Sequence, residues 1–120
     1  MNSKHSIPTL DLADKQLAAL SSAPLNKGEQ TERLRSLPDW QINKLENAYH
    51  LRCDFSFQRY ADALGFTANI GELAEACGHY PTIITAYLRV TVIWQAVDNS
   101  NLSEREFALA AHTTELAQRR

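Results

Sequence analysis

The chain has 120 residues, about one domain's worth, and 44% of them are hydrophobic, enough for a core of modest size. With 22% charged and 8% aromatic residues, neither a disordered nor a fibrous composition fits. Twelve Lys and Arg against fourteen Asp and Glu give a net charge of -2, with no cationic excess to displace phosphate counterions, so nucleic acid is not an expected partner.

Cys53 and Cys77 stand alone, without a CxxC or a third and fourth partner, which predicts free thiols and neither a zinc cluster nor a disulfide framework. The longest apolar runs fall far short of the ~20 residues of a spanning helix. Lys4, Asp11, Asp14 and Lys15 interrupt the region where a secretory leader would need an apolar stretch. The expectation is a cytoplasmic protein with no membrane partner.

Residues 1–28 read as a flexible N-terminal extension, with Pro8, Pro24, Gly28 and one weak helical patch, Leu10 to Leu20, too poor in apolar surface to fold alone. The folded domain is expected over 29–120. A short helix is predicted from Glu29 to Leu37, stopped by Pro38 because the residue before a proline avoids helical geometry. Trp40, Ile42 and Lys44 then share one face of a strand. After a turn at Glu46 and Asn47, Tyr49, Leu51, Cys53 and Phe55 alternate with His50, Arg52, Asp54 and Ser56 in period two, which predicts a hairpin with one wet face.

At Ser56 the period changes. Phe57, Tyr60, Ala61, Leu64, Ala68, Ile70, Leu73 and Cys77 recur at three- and four-residue steps, the pattern of an amphipathic helix, and Gly78 follows where a helix end prefers glycine. Pro81 prevents resumption. The β-branched run after it, with Leu88, Val90, Val92, Trp94 and Ala96 alternating against Arg89, Thr91, Ile93, Gln95 and Val97, predicts two strands parted near Ala86 and Tyr87. A turn from Asp98 to Asn101 leads to a capping box, Ser103 with Glu106, that opens a last helix to about Gln118. The order predicts an α+β fold: a four-stranded antiparallel sheet with three helices packed on one face.

Histidine is the side chain that titrates near neutrality without help from its surroundings. His5, His50 and His112 read as solvated, and none is three or four residues from another as a helical metal pair requires. His79 differs, because it sits between Gly78 and Pro81 at a helix-to-strand junction. Position alone leaves two readings: a histidine that bonds the last free carbonyls of the helix, or an imidazole presented at the end of the sheet.

The pattern Glu75-x-x-x-His79-x-Pro81, Tyr87 six residues after the proline, Asp98 further on and an LSERE helix start resembles the pterin-4a-carbinolamine dehydratase family, also called the dimerisation cofactor of a homeodomain factor. The resemblance runs upstream through LPDW at 37–40 and FSFQRYADALGF at 55–66, and covers about residues 25–118. It implies the same sheet-and-three-helix fold and a dimer formed by joining sheets. The edge of that homodimer is expected at Thr82, Ile83, Ile84, Thr85 and Ala86, because an open edge strand is a liability unless paired.

The family's dehydration chemistry is understood to use histidines: a His-His doublet before the proline and another ten residues after the tyrosine. Here Tyr80 replaces the second doublet histidine and Val97 the later one, while Gly78 and Ile83 replace an acidic and an aromatic residue of the pattern. A positioned acid or base contributes ~10²–10⁴-fold in rate, and tyrosine, with an ordinary pKa of about 10, substitutes poorly for imidazole. Rescue by Glu75 and His79 acting as a pair is the one catalytic route left. The residues Glu75, His79, Tyr80, Pro81 and Val97 therefore read as a vestigial pocket, with no catalytic residue, cofactor or metal expected.

The degenerate motif and the extension are similar to a branch associated with α-carboxysomes in autotrophic bacteria and implied to assemble RuBisCO. By that resemblance the chain is a non-catalytic RuBisCO assembly chaperone in carbon fixation, with the RuBisCO large subunit as partner. The alternative is an active or weakly active 4a-hydroxytetrahydrobiopterin dehydratase, and a third reading is a transcriptional coactivator.

Overall fold

A computed structural model describes Leu17 and residues 19–97 and 101–119. The elements run in the predicted order: α1 (Lys27–Leu34), β1 (Gln41–Leu45), β2 (Ala48–Ser56), α2 (Tyr60–Cys77), β3 (Thr82–Thr85), β4 (Arg89–Gln95) and α3 (Glu104–Gln118). The four strands pair antiparallel in the order β1-β2-β4-β3, so the two hairpins join through β2 and β4 and leave β1 and β3 as edges. The fold is α+β, as the alternation of residues required.

Period two does the sorting. Leu51 and Cys53 of β2, with Val90, Val92 and Trp94 of β4, point to the helices and are buried in one cluster with Phe66, Ile70 and Leu73 of α2 and Leu109 and Ala110 of α3. Burying one such side chain contributes about 1.5–3 kcal/mol, which is why a register slip of one residue would be prohibitive. Aromatic rings tie the strand ends to the helix: Phe55 lies 4.9 Å from Phe66 and 5.9 Å from Trp40, centroid to centroid. Gly78 closes α2 in the left-handed region at φ 68, the conformation that favours a residue without Cβ.

Three boundaries differ from the sequence pattern. α1 opens at Lys27 because Asn26 caps it: Asn26 Oδ1 accepts the Glu29 amide at 2.8 Å, and Glu29 Oε1 accepts the Asn26 amide at 2.9 Å. Its end comes at Leu34, and the chain reaches Leu37 through turns in which Arg35, Ser36 and Leu37 bond to carbonyls three residues back. α2 opens at Tyr60 and not at Phe57, since the Phe57 amide donates to Leu88 at 2.9 Å and so still belongs to the sheet.

The expected extension is docked where it is described. Leu17 is buried in the core cluster, and Leu20 and Leu25 pack against it. The Leu25 amide donates to Leu102 at 2.8 Å, Pro24 pairs with Ser103, and Arg105 Nη2 donates to the Leu20 carbonyl at 3.1 Å. The start of the predicted helical patch, the mobility expected for 1–16, and the turn residues Asp98 to Ser100 lie outside the described residues.

Two histidines correct the sequence reading. His50 is buried although it lies on the face of β2 turned away from the helices, and His112 is buried because α3 is covered almost all round. Both cysteines are buried thiols outside any disulfide. Burial, with lesser contributions from Asp39 and Asp54, pushes the Cys53 thiol up to about 12, leaving it an inert core residue.

Candidate functional site

The segment Gly78–Pro81 turns α2 into β3 and determines which way each side chain of the motif points. The Gly78 and His79 amides both donate to Ala74, at 2.9 and 3.3 Å, which folds the chain back over the helix end. His79 is thereby turned inward and is only 8% exposed. Its Nε2 lies 3.0 Å from the Gln95 carbonyl at the end of β4, and its ring meets Trp94 edge-on at 5.7 Å. A carbonyl only accepts, so Nε2 carries the proton of that bond.

Beside it stands a carboxylate, and it is not the one the motif spacing singled out. Glu75 is exposed on α2, whereas Glu106 is fully buried and brings Oε2 to 3.8 Å from His79 Nε2. Glu106 Oε1 accepts both the amide of Ser103, at 2.6 Å, and its hydroxyl, at 2.7 Å. Among the described residues Oε2 makes no hydrogen bond, and the imidazole edge stands 3.8 Å from it. Leaving a buried carboxylate oxygen without such a neighbour is costly, because ionised groups lose most by desolvation. The sequence signal for Glu106 was present in the capping box; that local role concealed its tertiary one.

The remaining motif residues are not brought together. Tyr80 points out and is 62% exposed, and Val97, where the family pattern has an imidazole, offers an aliphatic side chain at the end of β4. Pro81 and Ile83 are half-buried, and Thr82, Ile84 and Ala86 are exposed along the free edge of β3. Thr85 shares a 2.6 Å hydroxyl bond with Thr67 of α2. Tyr87 is exposed and packs on Tyr60 at 6.2 Å. Asp98 lies outside the described residues.

Two cavities among the described residues lie away from the motif. One of about 350 Å³ lies among Lys27, Gln30, Thr31, Ile42, Tyr49 and Asn101, and one of about 490 Å³ among Ser56, Phe57, Gln58 and Asp62. Among the described residues no group of three or more His, Cys, Asp or Glu is placed to hold a metal ion, and no helix is long and apolar enough to cross a membrane. What the junction contains is one hydrogen-bonded imidazole beside one buried carboxylate. General acid and base catalysis at two sites of a substrate needs two groups that reach it.

The fold and the junction define a class. The family model for pterin 4 alpha carbinolamine dehydratase matches residues 23–116, and the chain belongs to that family. A protein of Chlorobium limicola provisionally named pterin-4-alpha-carbinolamine dehydratase is 41% identical over 96 residues, covering 79% of this chain and 84% of its own length. A provisionally named dehydratase of Syntrophotalea carbinolica is 38% identical over 97 residues, covering 80% and 87%. The crystal structure of a transcriptional coactivator/pterin dehydratase from Brucella melitensis superposes with a TM-score of 0.68 at 29% identity, covering 79% of this chain and 99% of that one. A pterin dehydratase-like protein described as a RuBisCO assembly factor in the alpha-carboxysome gives a TM-score of 0.57 at 26% identity, covering 66% and 89%.

If Glu106 is the partner of His79, Glu106→Gln will move the His79 ring resonances in an NMR spectrum of the folded protein and Glu75→Gln will leave them in place. The reverse pattern would restore Glu75 to the pair.

Proposed function

We propose that this chain is a non-catalytic member of the family that acts as an assembly chaperone for RuBisCO in bacteria with α-carboxysomes. The observation that carries this reading is the orientation at the Gly78–Pro81 turn. The retained histidine is spent inward on Gln95 and Glu106, and the residue that replaces its neighbour, Tyr80, points into solvent. Loss of two acid-base roles, each typically ~10²–10⁴-fold, leaves little rate to select for. A domain that keeps its core and not its reacting groups is retained for its surfaces. The similarity to a structure described as a RuBisCO assembly factor supports RuBisCO as the client.

A dehydratase reading has two observations in its favour. His79 and Glu106 form a buried imidazole–carboxylate pair, and the curated relatives carry dehydratase names. Two measurements separate the readings. The purified protein should accelerate carbinolamine dehydration barely above buffer in stopped flow, and co-expression with cognate RuBisCO subunits should raise the yield of assembled enzyme without changing turnover per finished site, since a chaperone alters partitioning between assembly and aggregation. Turnover near that of a histidine-complete relative, with assembled yield unchanged, would establish the dehydratase instead.

The same reading includes a homodimer, paired along Thr82, Ile83, Ile84, Thr85 and Ala86. Support comes from the place of β3 at the edge of the sheet with Ile84 exposed, a combination that invites strand pairing. Sedimentation should show a dimer at micromolar concentration, and Ile84→Pro, which removes a ladder donor, should dissociate or unfold it. A stable wild-type monomer would rule this contact out.

A further inference from the structure

α1 and the residues leading into it, 20–36, are attached to the domain unevenly. α1 is the most polar of the three helices, and Gln30 is its one buried residue. The side-chain bonds within this stretch are local. Asn26 and Glu29 cap each other's amides, Gln30 Nε2 donates to the Leu25 carbonyl at 2.9 Å, Thr31 Oγ1 donates to the Lys27 carbonyl at 3.0 Å, and Arg35 pairs with Glu32 at 3.5 Å. Such bonds shape the helix without fastening it to anything else.

Packing beneath the helix is incomplete. The cavity of about 350 Å³ is lined by Lys27, Gln30 and Thr31 of α1 and by Ile42 and Tyr49 of the β1–β2 hairpin. Side chains parted by such a gap forfeit the dispersion contacts of close packing. Apolar adhesion is left to Leu20, Leu25 and Leu34, each only partly buried against the core.

The long-range bonds of the stretch converge on one place. Among the described residues, the hydrogen bonds and ion pairs that tie 20–36 to distant parts of the chain run to 102–105, where α3 begins. The Leu25 amide donates to the Leu102 carbonyl at 2.8 Å, Pro24 bridges to Ser103, and Arg105 Nη2 donates to the Leu20 carbonyl at 3.1 Å. Arg33 donates to Glu104 through Nη2 at 2.7 Å and Nε at 3.0 Å. The two ends are held differently, by Leu17 on one side and by Leu37 and Trp40 on the other, all buried in the core.

We propose that residues 20–36 form a strap that opens as one unit between these buried ends while the sheet, α2 and α3 stay folded, with the Arg33–Glu104 pair as its latch. Opening parts Leu25 from Leu102 and Pro24 from Ser103, and bares Ile42 and Tyr49, which the closed strap covers. A segment with few apolar contacts opens at lower free energy than the core it lies on. Arg33 and Glu104 are each 37% exposed, so salt screens the latch and shifts the strap toward its open form.

The test is native-state amide hydrogen exchange of the full chain, followed by NMR at neutral pH. The Leu25 amide is the decisive reporter, because its acceptor belongs to the start of α3 and fraying of α1 alone does not free it. Leu25 and Gln30 should share one opening, with protection at least about tenfold below that of the amides pairing β2 with β4 and a smaller urea dependence, since less surface is exposed. Arg33→Gln should lower Leu25 protection about two- to fivefold at low salt, and high salt should do the same to wild type with little further effect on the variant. Leu25 protection equal to that of the β2–β4 amides, with the same urea dependence, would overturn the strap. Exchange at Gln30 while Leu25 stays at the core level would overturn it too, as fraying without detachment. A Leu25 amide indifferent to both Arg33→Gln and salt would overturn the latch.

Discussion

A fully buried carboxylate has to be surrounded by partners or it will not stay buried, and Glu106 is the residue on which this domain satisfies that requirement. Its first oxygen takes two donors from Ser103 and so fixes the start of α3; its second faces His79 at the end of α2. His79 in turn bonds the last residue of β4. Three elements therefore meet at one acidic side chain. α1 is attached to the same helix start by Arg33, whose guanidinium donates to Glu104 through Nη2 at 2.7 Å and Nε at 3.0 Å, and the Leu25 amide adds a backbone bond to Leu102.

That arrangement gives the glycine and the histidine of the motif a structural reason to persist in the sequence. The helix-to-strand turn needs a glycine at positive φ, and the space beneath it is filled by an imidazole resting on Trp94. Neither requirement involves a substrate. Tyr80 turns to solvent and Val97 carries an aliphatic side chain, and they are where the chain departs from the doublet and the later histidine.

The fold was legible because it follows from alternation and local capping. Leu51, Cys53, Val90, Val92 and Trp94 sort to the core by period two, and Gly78 ends α2 where a left-handed residue was required. The α1 boundary was obscured because a glycine and a lysine stand between Asn26 and Glu29, a weak pattern until both bonds are seen together. His50 fell on the polar side of a strand, and its burial there is not encoded in the alternation, since Arg52 and Asp54 on the same face are exposed. The Glu106–His79 approach spans twenty-seven positions, so only the tertiary structure brings the two together.

If His79 serves the fold and not a reaction, its removal is a stability experiment. Residues held for catalysis are commonly neutral or costly to stability, whereas a buried hydrogen-bonded ring that packs on Trp94 stabilises the native state. The most direct measurement is the urea unfolding free energy of His79→Ala against wild type at neutral pH. A loss of about 1–3 kcal/mol, the usual range for breaking a buried bond and its packing, is the expected result, and on the proposed function RuBisCO assembly should persist in whatever fraction remains folded. Unchanged or increased stability together with lost activity would contradict it and make His79 a functional residue.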